Sequence, residues 1–327
     1  MAVSNEILST TLRILKDQEV DQLFKVTPLL KELAVEKVDG GSKYEIPVVL
    51  GDHSVITQLS TGKEPYDTTA ADISDTAEFN WCDFTAPITI ERKYELSNAG
   101  SKQVVNIAEM RMRNVMGMMK REWEKQALAG SSTILTELET LQGIDAGTGW
   151  FEEGAFLAQT NTVGGLSKTT YAAQNWQNQV ADASSALSMA DMIGLTVDVG
   201  NYTDRGALNL IIGSPSFFKT YRGLLSDVER FSSGDALDGG RMTLMFNGAK
   251  VHHSPFLPVT GGSGTILSAY FLNTEYMKAV FHKDAYFEMD DFQKVDGYIA
   301  RRASLLVRTQ LVISHLASQG ILVNAES

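Results

Sequence analysis

The order of segments constrains this chain more than any single motif. A polar amphipathic arm comes first, followed by an extended, acidic, threonine-rich stretch and then one long helical pattern. A mixed middle and a strand-rich tail complete it. A compact enzyme rarely puts so much reach, and so little catalytic chemistry, into its first third. The order suits a subunit that completes its core by lying on neighbouring copies.

The arm reads as helix over residues 4–37. Ser4 or Asn5 supplies a cap, and Ile7, Leu8, Leu12, Leu15, Leu23, Val26, Leu30 and Leu33 recur near helical spacing. Thr27-Pro28 restarts the helix, with Thr27 as cap and Pro28 in the first turn. Gly40-Gly41 ends the segment. Tyr44, Ile46 and Val48 then alternate with Glu45 and Pro47, an edge-strand pattern. Residues 51–83 are polar and turn-rich, and a return strand runs from Phe79 through Trp81 and Phe84 to Ile88 and Ile90. Two strands around a long polar tip make an extended hairpin. Such a hairpin is at best marginally stable alone and needs a surface to lie against.

Residues 98–129 give the clearest helix, capped by Asn98 or Ser101 and ended by Gly130. Val105, Ala108, Met112, Val115, Met116, Met119, Trp123 and Ala127 form one stripe, which predicts a core-packed rod roughly 45 Å long. Residues 131–165 read as loop. Helices are predicted over 191–202 and from Ser214-Pro215 to Leu225, with strands at 209–213 and at 242–258 about an Asn247-Gly248 turn. Strands follow at 265–271, 277–281, 286–292 and 299–316. The last places Ala303, Leu305, Val307, Leu311 and Ile313 on one face. The fold class is α+β.

Composition removes several functions. A net charge of −12 opposes free binding to nucleic acid through a basic surface, and it would repel DNA from any wall built of such subunits. The single cysteine, Cys82, excludes an internal disulfide framework and fits a reducing compartment. Nothing reads as a secretory signal or a membrane span, so synthesis in a cytoplasm is expected.

Catalytic patterns fail on spacing. There is no phosphate loop, and Gly147-Thr148-Gly149 lacks a third glycine and a feeding strand. Gly261-Gly262-Ser263-Gly264 reads as a flexible turn rather than a nucleophile elbow. His252 and His253 are adjacent, so on a strand they face opposite sides and do not share a metal. Cys82 has no basic neighbour in sequence to activate it. No catalytic residue, cofactor or metal ligand is expected.

The run from Gly165-Leu166-Ser167-Lys168 through Trp176 resembles a segment of the major capsid proteins of tailed bacteriophages. So do Leu306-Val307-Arg308-Thr309-Gln310 and Gly320-Ile321-Leu322-Val323. The order of parts is similar to that family's shell fold, the Hong Kong 97 type. The resemblance implies an N-terminal arm (1–40), an extended loop (43–95), a peripheral domain with its spine helix (97–159), an axial domain (160–265) and return strands, mostly peripheral (266–327). It implies pentamers and hexamers of one chain in an icosahedral shell around double-stranded DNA, held without sequence-specific contacts. It also implies scaffolding and portal partners, assembly in the host bacterial cytoplasm and residence in the virion. Inter-subunit contacts are expected at Leu12, Leu15 and Leu23 on the arm and at Thr57, Thr61, Lys63 and Tyr66 on the loop. Lys63 is a conceivable crosslinking lysine that no motif supports. The alternative within the same fold is an encapsulin-like nanocompartment shell. A hydrolase with an unfamiliar site is the alternative from another class, and the long central helix argues against a tail-tube or fibre subunit.

Overall fold

The computed structural model describes residues 27–51, 73–97, 107–129, 161–182, 187–203, 207–225, 244–257, 260–261, 264–295 and 297–325. The first half gives α1 (Pro28–Glu32), β1 (Ala34–Val38), β2 (Lys43–Val49), β3 (Ser74–Asn80), β4 (Cys82–Glu91), α2 (Arg92–Ser97) and α3 (Ile107–Ala129). The middle gives β5 (Thr162–Val163), β6 (Leu166–Ser167), β7 (Gln179–Asp182), α4 (Met189–Gly200), β8 (Leu210–Gly213) and α5 (Pro215–Leu224). The rest is strand: β9 (Leu244–Phe246), β10 (Ala249–His253), β11 (Thr260–Gly261), β12 (Gly264–Leu272), β13 (Met277–His282), β14 (Glu288–Met289), β15 (Gln293–Lys294), β16 (Ala300–Ile313) and β17 (Gly320–Ala325).

Two sheets organise these elements. The first is built on β16. The antiparallel β4 runs along one edge, from Cys82 opposite Thr309 to Glu91 opposite Ala300. The other edge carries β13, β14 and β15 in turn, and β1 adds to β13 in parallel. The second sheet has the order β7-β17-β12-β8-β10-β9, with β11 folded back on β12. The boundary drawn from sequence at 265/266 falls inside β12, and both β12 and β17 hydrogen-bond into this second sheet.

One face of the second sheet, through Leu210, Ile212, Tyr270, Leu272, Ile321 and Val323, joins the first sheet and α3 in a continuous core. The other face, through Ile211, Ala269, Phe271 and Leu322, packs beneath α4 and α5. That is why Leu210–Gly213 is apolar without alternation: the strand is buried on both sides. Phe217 of α5 lies so close to β8 that only glycine fits at position 213.

Several helix and turn signals hold. Ser214 Oγ accepts from the Phe217 N–H with Pro215 in the first turn, and Asn247-Gly248, both at positive φ, turn β9 into β10. β16 buries the predicted face.

Other expectations need correction. The arm helix does not reach residue 37: it stops at Glu32, and Ala34–Val38 is a strand because β13 offers a free edge that outweighs weak local helix preference. The strand predicted over 286–292 is broken, because Phe287 sits at φ 52. That left-handed conformation costs about 1–2 kcal/mol in a non-glycine residue. Ring packing on Phe281 and Tyr286 offsets it. The loop predicted over 131–165 ends in a tight hairpin, where Gly164 and Gly165 at positive φ join β5 to β6. An unpredicted short helix, α2, precedes the predicted long one, of which α3 covers 107–129 while residues 98–106 lie outside the described residues. Among its described residues the stripe on α3 is buried at Met119, Trp123 and Ala127, with Leu128 beside them, whereas Met116 is exposed.

Candidate assembly surfaces

The predicted contact residues Leu12, Leu15, Leu23, Thr57, Thr61, Lys63 and Tyr66 lie outside the described residues. The structure does describe the segments that flank them in sequence, 27–39 (the arm root) and 43–49 with 74–80 (the loop root). Both roots are seated on their own chain.

The arm root is α1 and β1. Thr27 stands at the N-cap of α1, but its side chain makes no cap hydrogen bond. The free N–H groups of the first turn are met from elsewhere: the Glu124 carboxylate, on α3, accepts from Leu30 at 3.3 Å and from Leu29. Glu124 is fully buried, and its Oε1 has no hydrogen-bond partner among the described residues. Burial therefore dominates over the two backbone donors and pushes its carboxyl up to about 8. Leu29 and Leu33 are buried beside it, and the α3 indole of Trp123 donates to Thr309 Oγ1 of β16 at 3.2 Å.

Exposed ion pairs fix the rest of the arm root. Glu32 meets Lys250 of β10 at 3.0 Å, Glu36 meets Lys278 of β13 at 3.0 Å, and Asp39 meets Lys283 at 3.0 Å. The Lys37 ammonium lies 3.8 Å from the centre of the Tyr286 ring. Each exposed pair contributes little alone, and of the three only Glu36–Lys278 spans β1 and β13 directly.

The loop root is the β2–β3 ladder, from Lys43 opposite Asn80 to Val49 opposite Ser74. Ala77 and Phe79 of β3 are buried against the β5–β6 turn, whose Gly164 carbonyl accepts from Glu78 N at 2.8 Å. A side chain at Gly164 would meet Ala77 and Phe79 at 3.0 and 3.1 Å. Tyr171 donates to Asp75 at 2.6 Å, which holds that carboxyl below its ordinary range. The chain then turns at Trp81, whose indole donates to the Gly41 carbonyl, and enters β4.

The segment 165–176, beside this root, is largely exposed but sends three side chains inward. Leu166, Lys168 and Trp176 are buried. Lys168 Nζ donates to Asn178 Oδ1 at 2.8 Å, and desolvation lowers its ammonium to about 7. Sequence reasoning noted Lys168 only as part of a run and passed over Glu124. A signal existed for the latter: Glu124 sits three and four residues before Ala127 and Leu128, on the buried side of α3.

A third surface was not anticipated. The turn joining β15 to β16 presents Tyr298 and Ile299, 75% and 81% exposed. Beside them a groove of about 610 Å³ is lined by Pro87, Thr89, Glu91 and Arg302 among others. Large apolar side chains at a strand tip, flanked by one acid and one guanidinium, make an interaction surface rather than a reaction centre.

The titratable groups weighed for chemistry are dispersed. His253 packs on the Phe218 ring at 5.2 Å, while His252 Nε2 lies 4.0 Å from Glu32. Gly261 and Gly264 pair across the β11–β12 hairpin. Cys82 is buried at the start of β4. Among the described residues no group of three or more His, Cys, Asp or Glu could hold a metal ion, and no helix is long and apolar enough to cross a membrane.

The sequence matches no protein-family model and no curated protein. The fold does match solved structures, over almost the whole length of both chains. The capsid of cyanophage A-1(L) is similar with a TM-score of 0.64 at 14% identity, covering 95% of this chain and 97% of that one. The capsid of a native GTA particle is similar at 0.62 and 13%, covering 95% and 96%. The holo-SrpI encapsulin of Synechococcus elongatus PCC 7942 is similar at 0.57 and 11%, covering 96% and 94%. With the arm and loop roots, the helix α3 and the two joined sheets in place, the chain has the α+β, Hong Kong 97-type fold of tailed-phage capsid subunits.

Proposed function

We propose that the chain is a major capsid protein: the structural, non-catalytic subunit of an icosahedral shell around the double-stranded DNA of a tailed phage. The observation that carries this reading is the end-to-end likeness of the fold to capsid subunits. Copies assemble as pentamers and hexamers, and scaffolding and portal proteins help to build the shell in the host cytoplasm. The acidic charge keeps the wall from adhering to DNA, which is enclosed without sequence recognition.

In this reading the first sheet with α3 forms the peripheral domain. The second sheet with α4 and α5 forms the axial domain, which takes in β12 and β17. The N-terminal arm (1–40) and the extended loop (43–95) reach neighbouring copies, through Leu12, Leu15 and Leu23 and through Thr57, Thr61, Lys63 and Tyr66. The encapsulin-like shell is the second reading, favoured by the likeness to the SrpI shell.

Electron microscopy of the purified chain, alone and with a scaffolding partner, tests the proposal. Closed shells built of five- and six-fold rings are the expected result; a chain that stays monomeric in both conditions overturns it. Nuclease-protected DNA in particles from infected cells separates the phage shell from the nanocompartment.

A further inference from the structure

Helix α4 breaks the pattern of a surface helix. Its inner side, Met192, Leu195 and Val199, is buried on β7 and β17. Its outer side is Ala190, Ile193, Gly194 and Val197, all exposed, with Ile193 at 46% and Val197 at 55%. The helix bears only two charges. Asp191 is engaged with Ser188 in a capping box, and Asp198 is exposed. A surface helix ordinarily carries charged side chains outward, as α3 does with Arg113, Lys120 and Lys125. A helix apolar on both sides is one that is covered on both sides. Gly194 adds a second cue: a Cβ there meets nothing within 4 Å of its own chain, so the gap it leaves faces outward.

Helix α5 is its complement. It lies on the same face of the second sheet, toward β8, β10 and β12, and its only charges are Lys219 and Arg222, both exposed beside an exposed Leu224. The strand order β7-β17-β12-β8-β10-β9 sets α4 toward one flank of the sheet and α5 toward the other. Each copy therefore has an apolar, acidic flank and a basic one. Unlike flanks join head to tail, and a head-to-tail contact repeated by rotation closes a ring.

We propose that α4 of one copy docks against α5 of the next copy of this chain. The strip of Ile193, Gly194 and Val197 covers Leu224, and Asp198 faces Lys219 and Arg222. The proposal rests on the shell-subunit reading and specifies the contact that makes its rings.

Charge reversal in the full-length chain tests it. Asp198→Lys alone, and Lys219→Glu with Arg222→Glu, each abolish rings and shells in micrographs while the melting temperature of the subunit stays that of the native chain. The triple variant, with charges exchanged across the contact, restores assembly. A disulfide test gives the geometry. Mixing a Val197→Cys chain with a Leu224→Cys chain under oxidation gives a crosslinked pair of unlike copies, and the buried Cys82 does not compete. Charge-reversed chains that assemble like the native one, a triple variant that stays unassembled, or crosslinking of Val197→Cys only to itself overturns the proposal. If the native chain forms no closed assembly at all, the shell reading fails first and takes this contact with it.

Discussion

The two sheets differ in how completely one chain covers them. The second sheet is buried on both faces, between the shared core and the helices α4 and α5. The first is two-sided only toward the end of β16, where residues 309–313 are all buried. Over 300–308 Arg301, Arg302 and Leu306 are exposed and Ser304 and Arg308 half-buried, and its tip carries Tyr298 and Ile299 in solvent. The lesson is a division of labour. The second sheet stabilises the subunit from within, whereas the first leaves surface for something else to cover.

The contrast breaks most readily at Gly213. A Cβ there would lie 2.2 Å from Phe217 Cδ1, so Gly213→Ala must displace either β8 or α5. A loss of about 3 kcal/mol is expected in chemical denaturation, at the upper end for overpacking. A loss under about 0.5 kcal/mol would mean that the second sheet is looser than its packing implies.

The next test uses the two buried charges, which give stability opposite slopes with pH. Glu124 titrates at about 8 in the fold against 4.5 ordinarily, so folding takes up a proton; its contribution is full below 4.5 and lost as pH rises through 8. Lys168 titrates at about 7 against 10.5, so folding releases a proton; its contribution is full above 10.5 and lost as pH falls through 7. Glu124→Gln should remove the fall with rising pH, and Lys168→Met the fall with falling pH, in denaturation midpoints measured across both ranges. Unchanged slopes in both variants would contradict the buried ionisations.

The smallest effect on stability, and the sharpest on assembly, belongs to the tip. Replacing both Tyr298 and Ile299 with serine should leave the unfolding free energy within about 0.5 kcal/mol of the native value. The yield of shells should fall. A clear drop in subunit stability would show instead that the tip packs on its own body.

Most elements announce themselves where one local rule suffices. Ser214-Pro215 starts a helix, Asn247-Gly248 turns a hairpin, and the alternation through Ala303, Leu305 and Val307 predicts a strand with one wet face. Failures occur where a distant partner decides. Nothing in Ala34–Val38 reveals that β13 will take it as a parallel strand, and nothing near Thr27 shows that a carboxylate on another helix will satisfy α1. The fold class and the order of parts were thus legible, and the candidate surface was legible only in part. The predicted contact residues of arm and loop lie outside the described residues, and the described segments beside them rest on their own chain. The tip at Tyr298 and the outer side of α4 look like ordinary apolar residues until burial is known.

The register of the long strand carries a consequence for synthesis. Cys82 waits for Thr309, and Gln179 waits for Gly320, before either sheet can close. A nascent polypeptide still short of β16 and β17 can close neither sheet, so the edges of β4 and β7 stay unpaired by those strands until the later ones emerge.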